Sequence, residues 1–209
     1  MVLARWPVPG RCKRRLAVGI GNGRAALVQQ RLSLHTLASA GLIADRSGEA
    51  IRPRLVLAAD PLGPRAARRW AEELGAGLGL SQGRGSLGVR MQRQVQRAWR
   101  HGSEQVVLIG SDLPALQADD LVAAFQALAD TPLVLGPADD GGYWLIGFSL
   151  QKTPELSSQL SRRLLSGMPW GTSQVLERTL AAARALGVEP ALLAQRGDLD
   201  RPADLRPWR

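Results

Sequence analysis

The sequence predicts one layered α/β domain that spans residues 1–209 and contains a largely parallel sheet. Short apolar runs alternate with longer segments of helical periodicity, which is the order typical of parallel strands joined by helices. The length of the chain suits a single domain with one sizeable core. The sequence contains neither an internal repeat nor a linker long enough to separate two domains.

Seven short apolar segments are predicted as strands. The strongest is 105–110, QVVLIG, because consecutive apolar residues suit a strand that is covered on both faces. The first, residues 1–4, is short for a central strand. The other predicted strands are residues 54–59, which end at Asp60, and residues 77–80, 133–135, 143–148 and 188–193.

Six longer segments place apolar residues near helical spacing and are predicted as helices. They are residues 24–40, 64–74, 89–100, 118–129, 157–165 and 173–186. Gly75 and Gly102 are suited to end two of them, and Asp119 and Asp120 suit the first turn of another. Residues 5–15 and 81–88 are predicted as loops, and the chain from residue 196 onward as a polar tail.

The composition excludes several classes of site. Cys12 is the only cysteine, which excludes an internal disulfide and a cysteine zinc site. A histidine-rich metal site is not expected, because His35 and His101 are the only histidines. Chemistry must therefore rest on carboxylates, cations and backbone groups. No apolar run approaches the roughly 20 residues of a membrane-spanning helix, and the start lacks a secretion signal, so a cytoplasmic protein is predicted.

The formal net charge of +9 fits two kinds of partner. A basic surface can bind nucleic acid, or the arginines can serve an anionic substrate. The arginines are scattered along the chain, and the sequence has neither a basic tail nor a recognised nucleic-acid motif. We therefore expect no nucleic-acid partner.

Ser111 and Asp112 follow the carboxyl end of the 105–110 strand. Ligands of open α/β sheets bind outside the carboxyl ends of strands, and a carboxylate placed there can hold a divalent cation. The alternative is that Asp112 only caps the turn before Pro114.

A basic loop, WPVPGRCKRRL at residues 6–16, follows the first strand. Two prolines stiffen it, and Gly10 allows its backbone to approach a ligand closely. The loop is suited to bind a pyrophosphate, because Arg11, Lys13, Arg14 and Arg15 offer cations within a short span. It is not a Walker loop, and a solvated basic turn is the alternative.

The segment GPADDGGYWLIG, residues 136–147, places Asp139 and Asp140 directly before Gly141 and Gly142. The glycines free the backbone to turn and to approach a substrate. A carboxylate here could bind a sugar hydroxyl or a metal, or act as a general base. Asp-Gly is also typical of a simple hairpin turn.

Two further motifs lie near the end of the chain. Asp198 and Asp200 point to the same side if the chain is extended, so one of them could complete a metal site with Asp112. The same segment could instead begin a helix near Pro202. In PWGT, Trp170 could stack on a sugar or a base and Thr172 could cap the next helix, with simple packing as the alternative for both.

These motifs, in this order, resemble the bacterial GT-A-like glycosyltransferase family that is named for arsenosugar biosynthesis and was formerly a domain of unknown function. The resemblance runs from Ala4 to Leu205 through PVPG, GSDLP, GPADDGGYWLIG, a late tryptophan and DLDRPADL. The sequence departs from the family pattern at Arg14, where threonine is usual, and at Ser86 and Val89 in GSLGVRM, where carboxylates are usual.

The resemblance implies a GT-A-like, three-layer α/β/α fold. It also implies that a sugar is moved from a nucleoside diphosphate sugar to a small-molecule acceptor with the help of Mg²⁺ or Mn²⁺. The implied site residues are Asp112 and Asp200 for the metal, Arg5, Pro9, Gly10, Lys13 and Arg15 for the nucleotide, Gly141, Gly142, Trp170 and Thr172 for the substrate, and Asp139 or Asp140 as the catalytic base.

Two other functions stay open. A more distant resemblance to molybdenum-cofactor and 2-phospholactate guanylyltransferases implies transfer of a nucleotidyl group from a nucleoside triphosphate. The missing carboxylates at Ser86 and Val89 leave room for a degenerate protein that binds a nucleotide without turnover.

Overall fold

A computed structural model describes residues 1–43, 53–150 and 154–208. These residues form a seven-stranded sheet in the order β3-β2-β1-β4-β6-β5-β7. All neighbouring strands are parallel except that β6 runs antiparallel to both β4 and β5. The strands are β1 (Val2–Arg5), β2 (Val56–Asp60), β3 (Leu78–Ser81), β4 (Gln105–Gly110), β5 (Leu133–Pro137), β6 (Tyr143–Ser149) and β7 (Ala191–Leu192).

Helices connect most of the strands and lie on both faces of the sheet. They are α1 (Arg14–Ile20), α2 (Asn22–Gly41), α3 (Pro64–Glu73), α4 (Leu87–Arg100), α5 (Ala118–Asp130), α6 (Pro154–Leu165) and α7 (Val175–Arg184), followed by a 3₁₀ helix at Pro202–Trp208. The two faces pack separate cores. Alternate residues of β4 show this, since Val106 and Leu108 belong to one core while Val107 and Ile109 belong to the other.

The core that contains Val107 is closed by α2, α3 and α5, through residues such as Leu37, Trp70 and Leu121. The opposite core is closed by α4, α6 and α7, through residues such as Val95 and Leu160. Helix, sheet and helix therefore form three layers around a mostly parallel sheet, and the predicted fold class is confirmed.

The bounds of the predicted strands and helices lie within three residues of the observed ones at either end, but three features differ from the prediction. Residues 14–20 form α1, although residues 5–15 were predicted to be a loop. Strand β7 is limited to two residues of the predicted 188–193. The predicted polar tail contains the 3₁₀ helix. Helix α1 has no capping side chain at its N-cap, Lys13, and Gly21 at φ 82° separates it from α2, so the usual start pattern of a helix is missing.

The topology gathers the sequence motifs at one edge of the sheet. Strands β1 and β4 are parallel, so the basic loop after β1 and Asp112 after β4 lie at the same edge. Strand β6 runs the opposite way and starts at that edge, which brings the β5–β6 loop with Asp139 and Asp140 beside them.

Candidate functional site

Lys13 is the most constrained residue of the site. Its backbone is left-handed, with φ 45°, and it is the one non-glycine residue with positive φ in the described ranges. The side chain is 3% exposed, and Nζ lies 2.7 Å from Oδ1 of Asp112. Nζ also donates a hydrogen bond to the carbonyl oxygen of Leu199 at 2.5 Å. The basic loop is thus tied to the β4 end and to the C-terminal segment.

The C-terminal segment is docked by several contacts. The amide of Leu199 donates to the carbonyl of Asp112 at 2.8 Å, and the Leu199 side chain packs with Leu16. Arg15 Nη1 lies 2.9 Å from Asp200 Oδ2. Asp204 accepts hydrogen bonds from the backbone amide of Asp200, which fixes the turn into the 3₁₀ helix. These contacts place Asp198 and Asp200 beside the basic loop.

Carboxylates repel one another at this junction. The pKa of Asp198 is raised, first by burial and then by the negative charges of Asp140 and Asp112, while Lys13 opposes the shift. Asp140 Oδ1 accepts a hydrogen bond from the backbone of Gly142 at 2.8 Å. Asp112, Asp140 and Asp198 therefore form one acidic group.

Asp139 faces away from this group. Its carboxylate accepts a hydrogen bond from Gln195 Nε2 at 2.8 Å, and its backbone amide donates to the carbonyl of Arg196. It lines neither of the two cavities described next, whereas Asp140 lines the second. The two adjacent aspartates, which the sequence did not distinguish, thus occupy different surroundings.

Two cavities meet at Asp112. The first, of about 330 Å³, is lined by the cations of Arg5, Lys13 and Arg90 and by the carboxylates of Asp60, Asp112 and Asp200. The second, of about 300 Å³, is walled mainly by apolar and aromatic side chains. Leu3, Leu87, Gly110 and Asp112 line both cavities, so the two form one continuous cleft.

The first cavity is also lined by Asp60, Gln82 and Arg90, which were not predicted as site residues. Arg90 Nη1 lies 2.8 Å from Asp60 Oδ2 and donates to Gln82 Oε1 at 3.2 Å. Arg5 lies 3.4 Å from the same Asp60 oxygen. Asp60 ends β2 and Gln82 follows β3, so the strand-end rule that selected Asp112 would have found both.

The remaining predicted residues take several positions. Trp170, Thr172 and Gly142 line the second cavity. Gly141 lies behind it at φ 84°, where a Cβ atom would lie 2.3 Å from the carbonyl oxygen of Ser173. Pro9, Gly10 and Arg15 line neither cavity. Gly10 adopts φ 76°, which shapes the turn that leads to Lys13.

The predicted capping role of Thr172 is wrong. Helix α7 begins at Val175 and its N-cap is Gln174. The Thr172 hydroxyl instead donates to the carbonyl of Pro169 at 2.9 Å and accepts from the Gln174 amide at 3.4 Å. This closes the turn that presents Trp170.

Residues 43–172, more than half of the chain, match the sequence profile of a family described as "Uncharacterized protein conserved in bacteria (DUF2064)". The chain belongs to the DUF2064 family. No curated protein matches the sequence.

Solved structures with the same fold include three transferases. A provisionally named nucleotide-diphospho-sugar transferase from Desulfovibrio desulfuricans G20 has a TM-score of 0.83 and 27% identity, over 98% of this chain and 82% of that one. A cytidylyltransferase from Leptospira borgpetersenii has a TM-score of 0.57 and 13% identity, over 99% of this chain and 82% of that one. Glucosyl-3-phosphoglycerate synthase from Mycobacterium tuberculosis, in complex with Mn²⁺, UDP and glucosyl-3-phosphoglycerate, has a TM-score of 0.55 and 14% identity, over 97% of this chain and 72% of that one.

The DUF2064 chain therefore has the fold of nucleotide-diphospho-sugar transferases of the GT-A type. At these identities the second and third likenesses show the fold alone. None of the helices in residues 1–43, 53–150 and 154–208 is long and apolar enough to cross a membrane.

Ser86, which stands where the family pattern usually has a carboxylate, has a structural role. It is the N-cap of α4, and its hydroxyl accepts a hydrogen bond from the Val89 amide at 3.4 Å. An aspartate side chain can make the same cap. The Val89 side chain is exposed and contacts no cavity.

The carboxylates predicted to bind a divalent cation, Asp112 and Asp200, suit one only in part. No group of three metal-ligating side chains lies close enough together within the described residues to hold an ion alone. Asp112 and Asp200 are each paired with a cation, Lys13 and Arg15. Mg²⁺ is commonly bound through one or two carboxylates together with phosphate oxygens. An ion at Asp112 and Asp200 would therefore need further ligands, such as the phosphate oxygens of a bound diphosphate.

Proposed function

We propose that this protein transfers a sugar from a nucleoside diphosphate sugar to a small-molecule acceptor with the help of Mg²⁺ or Mn²⁺. The observation that supports this most is the Lys13–Asp112 pair, which stands where a cavity lined by charged side chains meets an apolar one. A sugar nucleotide has the same division, because its diphosphate separates a nucleoside from a sugar. The D. desulfuricans neighbour is named for nucleotide-diphospho-sugar transfer and the M. tuberculosis neighbour contains UDP and Mn²⁺, which agrees with such a donor.

The first cavity would bind the nucleoside diphosphate. Lys13, Arg5 and Arg90 supply positive charge there, and Arg15, with Pro9 and Gly10 in the loop before it, adds a further cation beside it. Charge-assisted hydrogen bonds from these groups favour phosphate oxygens. Asp112 and Asp200 would hold the cation, which supplies Lewis-acid stabilisation of the diphosphate leaving group.

The second cavity would bind the acceptor and the sugar. Asp140 is the better candidate for the general base, because it lines this cavity and Asp139 does not. Trp170, Thr172 and the backbone of Gly141 and Gly142 would position the substrate. We expect the reaction to take place in the cytoplasm.

Calorimetry of UDP and GDP binding, with and without Mn²⁺, tests the metal and phosphate assignments. In the wild-type protein Mn²⁺ should strengthen binding. In Asp112→Asn the affinity measured with Mn²⁺ should fall about tenfold or more, the size of a lost charged contact. Glu73→Gln, which removes an exposed carboxylate on α3, is the matched control and should behave as wild type. An unchanged Mn²⁺ effect in Asp112→Asn would exclude the metal assignment.

A second assay separates sugar transfer from nucleotidyl transfer. The protein is incubated with radiolabelled sugar nucleotides and, separately, with nucleoside triphosphates, and the release of nucleoside diphosphate or pyrophosphate is measured. Release of nucleoside diphosphate supports the proposal. Pyrophosphate release from a triphosphate, with sugar nucleotides left intact, would replace it with the guanylyltransferase-like function. Binding without either product would indicate the degenerate alternative.

A further inference from the structure

The second cavity differs from the first in charge as well as in polarity. Asp112, Asp140 and Asp198 line it, and none of its described lining residues is Lys, Arg or His. The nearby Lys13 ammonium is already paired with Asp112, and Arg15 is paired with Asp200. An anionic group entering this cavity would therefore meet three carboxylates on its wall, while the nearest cations, Lys13 and Arg15, lie outside the wall and are engaged by Asp112 and Asp200.

The body of the cavity is apolar and aromatic. Met91 of α4, Leu108 of β4 and Ile146 of β6 form one part of its wall. The rings of Tyr143 and Trp170 form another, edge to face, with their centroids 6.1 Å apart. Such rings bind flat apolar groups and the faces of rings.

The cavity is also held open by rigid contacts. A Cβ atom on Gly88 would lie 2.9 Å from Trp170 Nε1, so α4 packs directly against the Trp170 loop. The Leu176 amide donates to the carbonyl of Gly141 at 2.9 Å, which fixes the Asp140 loop to the start of α7. A preformed apolar cavity selects a ligand by shape and by charge.

On the basis of the proposed function, we infer that the acceptor is an uncharged or cationic molecule with a flat apolar body of about the size of a phenyl ring and a nucleophilic hydroxyl group. Phosphorylated or carboxylated acceptors are disfavoured. This sets the cavity apart from the M. tuberculosis neighbour, whose structure contains the anionic glucosyl-3-phosphoglycerate.

The transfer balances with the groups that the site supplies. The acceptor hydroxyl oxygen forms a bond to the anomeric carbon of the sugar. The bond from that carbon to the β-phosphate oxygen breaks, and its electron pair leaves with the nucleoside diphosphate. The hydroxyl proton passes to the carboxylate of Asp140, which lines the cavity.

The test uses three probes with one phenolic body and different charges. Tyrosol is neutral, tyramine is cationic and 4-hydroxyphenylacetate is anionic, and each is titrated by calorimetry into the protein without nucleotide. We expect tyrosol and tyramine to bind about tenfold more tightly than 4-hydroxyphenylacetate, because the anion alone meets the carboxylates. Equal or tighter binding of the anion would overturn the inference.

Two variants place the binding in this cavity. Trp170→Ala should weaken all three probes alike, because it removes a ring from the wall. Thr172→Lys, at an exposed position on the rim, should raise the affinity for 4-hydroxyphenylacetate and remove the preference. Glu73→Gln should change neither the affinities for the three probes nor the preference among them. If Trp170→Ala fails to fold, Thr172→Lys decides, and an unchanged preference in that variant contradicts the inference.

Failure of this inference can be distinguished from failure of the proposed function. Nucleotide binding is measured separately, with UDP or GDP and Mn²⁺. A protein that binds nucleotide and prefers the anionic probe retains the proposed function and loses this inference. A protein that binds tyrosol and no nucleotide loses the proposed function, and the charge preference of the cavity then stands as a binding property alone.

Discussion

Lys13 combines an unfavourable backbone conformation with a buried charge. The left-handed region costs an L-residue with a Cβ atom about 1–2 kcal/mol relative to glycine, and burial of an ammonium group adds a desolvation penalty. The contacts to Asp112 and Leu199 offset these costs. A residue that is kept in place against such costs is a strong candidate for a functional role, because strained residues cluster at binding sites.

Lys13→Gly and Lys13→Ala separate the strain from the charge. Both remove the ammonium group, and only alanine keeps the strained Cβ atom. We expect Lys13→Gly to be more stable than Lys13→Ala by about 1 kcal/mol, as measured by urea unfolding. Both variants should lose nucleotide affinity to the same extent in calorimetry. Equal stability of the two would show that the φ of 45° imposes no strain.

Ser86 offers a second test at the scale of one residue. Its hydroxyl caps α4, so Ser86→Ala should lower the free energy of unfolding by about 0.5–2 kcal/mol. Ser86→Asp keeps the cap and adds a negative charge at the helix N-terminus, which is favourable there. It should therefore be at least as stable as wild type in thermal unfolding. If Ser86→Asp is as unstable as Ser86→Ala, the capping assignment is wrong.

At the scale of elements, the close contact between α4 and the end of α6 requires a glycine at position 88. A Cβ atom on Gly88 would lie 1.7 Å from the carbonyl oxygen of Leu165, so helix and chain approach each other closely. Trp170 is held by the same contact. The position of one helix therefore determines a wall of the second cavity.

Gly88→Ala should separate these elements and destabilise the protein by about 1–3 kcal/mol, as overpacking does. It should also weaken the binding of tyrosol, because Trp170 must shift. Gly23→Ala in α2 is the control, since no atom lies within 4 Å of its added Cβ and its φ is not positive. That change should stabilise the protein by about 0.4–1 kcal/mol. Similar thermal unfolding curves for both variants would contradict the close contact.

The elements show which features a sequence can reveal. Strand β4 has a continuous apolar run and was predicted with its observed bounds. Helix α1 was missed because it spans only seven residues and its N-cap, Lys13, makes no capping hydrogen bond with its side chain. Strand β7 is short because its pairing with β5 extends only over Ala191 and Leu192, a limit that tertiary contacts impose and local pattern does not encode.

The candidate site was predicted less completely than the fold. Asp112 and Lys13 were named as candidates because one follows a predicted strand directly and the other lies in the basic loop after the first strand. Their contact was not predictable, because it depends on the parallel pairing of β1 with β4, which places the basic loop beside Asp112. The sequence also does not show which of Asp139 and Asp140 lines a cavity. Gln195 Nε2 donates a hydrogen bond to Asp139, and that contact between distant parts of the chain is visible only in the structure.

At the scale of the whole molecule, the two cores share one sheet. Leu57 is fully buried in one core and Leu160 in the other, and adjacent residues of β4 contact both. The single domain predicted for residues 1–209 should therefore unfold in one transition. Leu57→Ala and Leu160→Ala should each lower the free energy of unfolding by about 2–5 kcal/mol.

Circular dichroism and tryptophan fluorescence followed during urea unfolding check this expectation. Coincident curves in wild type and in both variants are expected for a two-state domain. If Leu160→Ala shifted only one of two separate transitions, the layers would be independent folding units, and the prediction of one domain would be wrong.

The hydrogen bond between Lys13 and Leu199 also affects when the site can form during synthesis. The two residues are 186 positions apart in sequence, and most of the sheet lies between them. During synthesis, the basic loop at residues 6–16 is made well before the C-terminal segment that contacts it. A nascent chain can assemble β1 to β6 and still lack Asp198 and Asp200. If the proposed function holds, metal-dependent nucleotide binding should therefore appear only after Asp200 has been synthesised and has docked beside Arg15.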